Sequence, residues 1–419
     1  MNLASLAWRS LWNRRGTAAL VVVSIALSVV LLLGVERLRD QARTSFANTV
    51  SGVDLVVGAR TGPVNLLLYS VFRLGEPTSN VSWESYRTFA EHDRVKWTVP
   101  LSLGDSHRGF PVVATNRDYF EHYRYGDRRS LKLAEGEEFD GVFDAVLGAR
   151  VARELGYSVG DRIIVAHGGG EMAHTRHDDK PFFVTGILEP TGTPVDQSVH
   201  VSLEGFEAIH VDWRGGAPVP GLSISAEQAR RMDLTPSGIT AFLVGLESRV
   251  AVFGVQRDVN NFQDEALMAI LPRLTLQQLW DLLAVGERAL LAVSLLVLVV
   301  ALVAMMSALL TGLNERRREM AILRALGARP WQIFALILGE TLLLTVLGAL
   351  LGVVVMQAVV AAAGAWLGSA LGMTISAWPP SPREWWLLAA VIGGGLVAGL
   401  WPATRACLNA LQDGMTVRL

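Results

Sequence analysis

One cysteine, Cys407, and three lysines, Lys96, Lys132 and Lys180, are all that a chain of 419 residues holds of those two types. A single thiol excludes an intrachain disulfide, a Cys-rich zinc module and a CxxC redox motif. None of the lysines follows a GxxxxG stretch, so no Walker A loop cradles a phosphate, and another chain is expected to bind any ATP and magnesium used. Neither GxSxG nor HExxH occurs, which argues against an outer hydrolase. An excess of one charge is also lacking. The 37 basic and 39 acidic residues leave a net charge of -2, and the electrostatic case for nucleic-acid binding falls.

Long apolar runs are what the chain does have: 51% of it is hydrophobic and only 18% charged. Residues 17–35 and 289–313 are free of charge, and each exceeds or nearly equals the ~20 residues that cross a hydrocarbon core of about 30 Å. Residues 331–400 hold two more runs, interrupted by Glu340 and by Arg383 and Glu384. The first run is too long for a signal peptide and no small-x-small site directly follows it, so it reads as a retained anchor. Beyond residue 356 the third run outlasts one span, and an outer helix or re-entrant piece is expected over 356–382. Gly364, Gly368 and Gly372 offer a smooth helix face there.

Positive charge fixes the orientation. Segments 1–16, 314–330 and 401–419 carry ten basic and three acidic residues between them, which puts both termini in the cytoplasm. Residues 36–288 then lie outside. The expected fold is an α-helical membrane protein with four transmembrane helices plus a large α+β extracytoplasmic domain on helical stalks. Apolar points at Leu38, Ala42 and Phe46 mark one stalk, and Leu276, Leu279, Trp280 and Leu283 the other. Short β-type runs at Asp54–Val57, Ala145–Leu147, Ile163–Val165, Phe182–Ile187, Val199–Val201 and Ala241–Val244 alternate with helices expected at Trp83–His92, Ala149–Leu155 and Val255–Leu271. The RGGAPVPG stretch at 214–221 reads as a connector between two lobes.

In the cytoplasmic segment Asn314–Pro330, basic residues precede Met320, Leu323 and Leu326 on one side of a short helix that Gly327 ends. An apolar stripe in a charged loop wants a partner to cover it. This run, followed by an apolar helix with Glu340, Gly348 and Gly352, resembles the signature of FtsX-like permease domains of ABC transporters of the MacB and lipoprotein-release kind. VLGARVARELGYSVGDRIIV at 146–165 is similar to that family's outer domain.

The resemblance implies a permease domain over 289–400 and a MacB-like domain over 36–288. It also implies a cytoplasmic coupling helix in which Glu315, Arg316, Arg317, Arg318, Glu319, Met320, Leu323, Arg324, Leu326 and Gly327 meet a separate ABC ATPase. The implied assembly is a homodimer or heterodimer of permeases in a bacterial inner membrane, with room for a periplasmic adaptor or outer-membrane partner. The function implied is transmission of ATP-driven motion to a periplasmic or lipid-anchored cargo, without catalysis in this chain. The residues from Gly168 to Trp213 depart from the family and leave the cargo open.

Two further features stand out. Glu340 lies within the third run, where a carboxylate is a functional candidate. The stretch HGGGEMAHTRHDDKP offers His167, His174, His177 and Asp178 as metal-ligand candidates, although a polar loop explains the same composition and no bound metal is expected. Were these residues to bind metal, a zinc-linked transporter would be the alternative. A signalling protein that activates an outer cell-wall hydrolase is the rival from another class.

Overall fold

Four helices dominate the structure, a computed structural model that describes residues 15–75, 77–167, 177–214, 217–219, 224–315, 320, 322, 324–325, 327–371 and 380–412. They run Arg15–Thr49, Pro272–Glu315, Pro330–Leu371 and Pro382–Gln412, and each contains a segment long and apolar enough to cross a membrane. The last three open on proline, whose fixed φ and missing N–H suit the first helical turn. Contacts divide the described residues into two units: those of the helices up to Ala42, over 283–369 and from 380 on, and a second unit of Arg43–Leu282 with 370–371.

The third helix differs from the sequence expectation. It continues for 42 residues to Leu371, with no separate outer helix or re-entrant break in the described part of 356–382, because its sequence beyond Met356 holds neither proline nor a strong cap to stop it. Gly372 lies outside the described residues.

Ile25 and Val29 of the first helix, Leu298 and Met305 of the second and Leu344 of the third share one buried cluster. Glycines allow the approach. A Cβ added at Gly348 would lie 2.7 Å from Ile25 Cβ, and one at Gly352 would lie 2.7 Å from Val29 Cβ and 2.8 Å from the Ala26 carbonyl. Gly352→Leu is therefore expected to cost about 1–3 kcal/mol through overpacking and to lower the thermal midpoint in detergent. Gly339→Ala, where nothing lies within 4 Å, should not lower it. Equal midpoints for the two variants would refute this packing.

Glu36, Arg37 and Arg39 of the first helix meet Glu287, Arg383 and Glu384 in one charged group. Arg37 and Glu384 form its buried centre, with Nε–Oε1 and Nη2–Oε2 distances of 2.6 and 2.7 Å.

In the second unit, eleven described strands make one sheet. Its main path is Leu267–Ile270, Leu55–Ala59, Ala241–Leu246, Val95–His107, Phe110–Thr115, Val199–Ser202, Asp144–Leu147, Phe182–Leu188 and Leu133–Gly136. The strand Val199–Ser202 runs parallel to Phe110–Thr115, and Phe182–Leu188 parallel to Asp144–Leu147. Successive side chains point to opposite faces, so Leu55, Val57, Ala145 and Leu147 enter one core while Val56 and Val146 enter another. Burial on both faces is why these strands read as unbroken apolar runs.

Two expectations are corrected here. The helix expected over Val255–Leu271 is a helix at Val252–Asn260 followed by a strand at Leu267–Ile270, since Met268 and Ile270 pack on one face of the sheet and Leu267 and Ala269 on the other. Instead of two lobes there is one sheet in one unit, through which the long strand Val95–His107 runs; within the expected connector, residues 213–214 pair with 217–218.

Candidate functional site

Strand pairing builds a histidine cluster in the second unit. The long strand changes register between Leu103 and Ser106 at Gly104, where φ is 139°, a value that suits glycine. Asp105 follows, and the short strand Ala166–His167 pairs with it so that His167 stands opposite Asp105. His167 Nδ1 is 2.6 Å from Asp105 Oδ1, and this bond is the main cause that raises the His167 pKa.

His177 is held by its amide, which donates to the Val165 carbonyl at 3.0 Å. Three residues on, Lys180 is fully buried, and its Nζ donates to both carboxylate oxygens of Asp212 at 2.8 Å. This pair ties the chain after His177 to the turn that carries Trp213. The fourth member, His210, ends the helix Leu203–His210, which Ser202 caps by accepting from the Gly205 amide.

One potential ligand atom from each of Asp105, His167, His177 and His210 lies within 4.8 Å of the others. The three imidazoles pack with ring centroids 4.5–5.3 Å apart, and the Trp213 ring sits 4.4 Å from that of His177. Burial, then the neighbouring His210, lowers the His177 pKa to about 4; burial likewise lowers that of His210. Both rings are therefore neutral near pH 7, the state in which imidazole binds a metal. A cleft of about 350 Å³ adjoins the cluster. Glu207 on its wall has its pKa pushed up by burial to about 7.

Of the ligands marked in the sequence, the structure thus unites His167 and His177. His174 lies outside the described residues. Asp178 is exposed, and its carbonyl accepts from Arg162. Asp105 and His210 carry no local motif, and the sequence reading missed both.

Of the residues expected to meet an ATPase, only some are among the described ones. Arg316, Arg317, Arg318, Glu319, Leu323 and Leu326 lie outside the described residues, and Glu315 is the last residue of the second helix. Met320 corrects the expected outward stripe: it is 6% exposed and clusters with Leu313, Ile333, Ile337, Ala403 and Ala406, because the ends of three helices leave an apolar gap that it fills. Ile322, by contrast, is 60% exposed. Arg324 is half-buried. Gly327 takes φ 92° as its amide bonds the Arg324 carbonyl. Glu340 is buried in the third helix next to Thr341, whose hydroxyl bonds the Ile337 carbonyl.

Four helices long and apolar enough to cross a membrane, together with a large α+β unit, are the parts of a multi-helix membrane protein with a sizeable further domain. The family description for the MacB-like periplasmic core domain matches residues 16–261, and that for the FtsX-like permease C-terminal region matches 291–409. The chain belongs to the MacB-like, FtsX-like family of ABC transporter permeases.

Among curated relatives, the macrolide export ATP-binding/permease protein MacB of an Azoarcus species is 25% identical over 96% of this chain. The pyoverdine export ATP-binding/permease protein PvdT of Pseudomonas syringae pv. tomato is 23% identical over the same share. The chain spans 57% of the length of each. Among solved structures, the periplasmic region of MacB from Actinobacillus actinomycetemcomitans aligns with 56% of this chain and 95% of its own at 11% identity, with a TM-score of 0.34.

Proposed function

We propose that this chain is the permease subunit of an ABC transporter driven by an ATPase on a separate chain. It transmits ATP-driven motion from the cytoplasm to a domain outside the bacterial inner membrane and there moves a periplasmic or lipid-anchored cargo. The observation that carries the reading is the pair of family matches, one on each side of residue 272, set on two helices of 35 and 44 residues. At 1.5 Å per residue such helices are about 50 and 65 Å long, well beyond the ~30 Å a bilayer needs. An unbroken rod of that length carries a displacement at its inner end beyond the membrane. The working unit is a dimer of permeases, each with its coupling segment against an ATPase.

Affinity purification of the chain from its own membranes tests this. One ABC ATPase should co-purify, and reconstitution of the pair should raise its ATP hydrolysis. Reporter fusions at Arg129 should read outside and at Gly327 inside. Recovery of the intact chain without an ATPase, or the reverse orientation, would overturn the proposal.

A further inference from the structure

We propose that Asp105, His167, His177 and His210 bind one divalent transition-metal ion, and that their three nitrogens and one oxygen suit zinc. This is a site on the α+β unit, separate from the coupling role above, and it needs no ATPase to be observed.

The case begins with His177. Its side chain has no solvent exposure, and neither ring nitrogen has a hydrogen-bond partner. Buried polar side chains nearly always have one, and this ring lies among the other three ligands. A second observation is independent of it. His210 Nδ1 lies 2.7 Å from the Phe206 carbonyl, which can only accept, so Nδ1 carries a proton and Nε2 is the nitrogen left to ligate. That nitrogen lies 3.4 Å from Asp105 Oδ2, and neither atom makes a hydrogen bond. Two acceptors this close in a buried site repel, and a cation within reach of both reverses the sign of the interaction.

The surroundings complete the coordination logic. Histidine ligands commonly donate their second N–H to a carbonyl or carboxylate, which fixes the tautomer and the ring. His210 does so to Phe206, and His167 Nδ1 meets Asp105 Oδ1 in the same way, which leaves Asp105 Oδ2, without a hydrogen bond, for the ion. Four-coordinate zinc holds N and O ligands at ~2.0–2.2 Å, so they stand about 3.5 Å from one another. From separations of at most 4.8 Å, inward shifts of about 1 Å per ligand suffice. Trp213 closes one side against His167 and His177. Imidazole-rich sets favour zinc, copper, nickel and iron over magnesium or calcium, and a tetrahedral set with a single carboxylate favours zinc among them.

The test uses the full chain in detergent, freed of metal by a chelator and titrated with zinc sulfate against a fluorescent zinc indicator. One zinc per chain is expected, with submicromolar affinity, and X-ray absorption of the complex should show three imidazole nitrogens and one oxygen. His177→Ala and His210→Gln should each weaken binding about 100-fold or more, whereas His92→Ala, outside the cluster, should leave it unchanged. His210→Gln keeps a polar side chain of similar reach and decides the matter should His177→Ala fail to fold; circular dichroism checks each variant. A folded wild type that binds no zinc would make the cluster a hydrated polar pocket and overturn the site. Zinc binding that survives both substitutions, or an absorption spectrum without imidazole, would place the ion elsewhere and overturn it equally.

Discussion

Glu384→Ala should destabilise the helical unit by about 3–5 kcal/mol, the usual result of breaking a buried ion pair by removing one partner. Arg37 and Glu384 have side chains only 5% and 2% exposed, and their two short contacts form a fork between the first and fourth helices. Removing the carboxylate takes both of these contacts from a guanidinium that is 5% exposed. Truncating the pair together is milder: an Arg37→Leu, Glu384→Leu double variant should recover more than half of the loss, since no uncompensated charge remains. Arg231 and Glu227 supply the contrast. They are 78% and 81% exposed, so Glu227→Ala should change stability by less than about 1 kcal/mol. Thermal unfolding in detergent would read all three, and a Glu384→Ala midpoint equal to that of Glu227→Ala would show that the fork is not closed in the folded protein.

The same fork shows what the sequence could reveal. A span must supply some twenty apolar residues in a row, so the four long helices announce themselves. Their contacts do not. Nothing local says that Arg37 will meet a residue near position 384, although the Gly348 and Gly352 spacing does mark a close helix approach.

Within the sheet, runs such as Ala241–Val244 are legible because both neighbouring faces are buried. The strand Val95–His107 is not, because Lys96, Ser102, Gly104 and Asp105 interrupt its apolar pattern. Those interruptions are where the candidate site lies. His167 and His177 stand close enough in sequence to be noticed, but Asp105 lies 62 residues before His167 and arrives by antiparallel pairing. His210 arrives at the end of a helix whose only local sign is its Ser202 cap. The length of the long helices followed the same pattern in reverse: an absence of stop signals after Met356 let the third helix run on where bilayer thickness alone suggested a break.

Ile322→Asp should leave the chain in the membrane but abolish its capture of the ATPase. Of the apolar side chains described between the second and third long helices, Ile322 is 60% exposed and Met320 is buried against the chain's own helix ends. The two residues therefore answer different questions. Covering Ile322 in a partner's groove is worth about 1.5–3 kcal/mol, and a carboxylate put there without a partner adds a desolvation cost of its own. Together these weaken docking by two orders of magnitude or more, on the scale of 1.4 kcal/mol per tenfold. ATPase stimulation should fall with it, while thermal stability of the permease alone stays at the wild-type value because the side chain is already in solvent. Met320→Ala should do the opposite in kind, costing about 2–5 kcal/mol of stability by opening a cavity and reducing ATPase capture only as far as the folded fraction falls. Leu323→Asp, at the position marked by the sequence, belongs to the same docking measurement. Wild-type capture and stimulation by Ile322→Asp, at wild-type membrane levels, would remove this segment from the coupling interface and with it the main mechanical link in the proposed transporter.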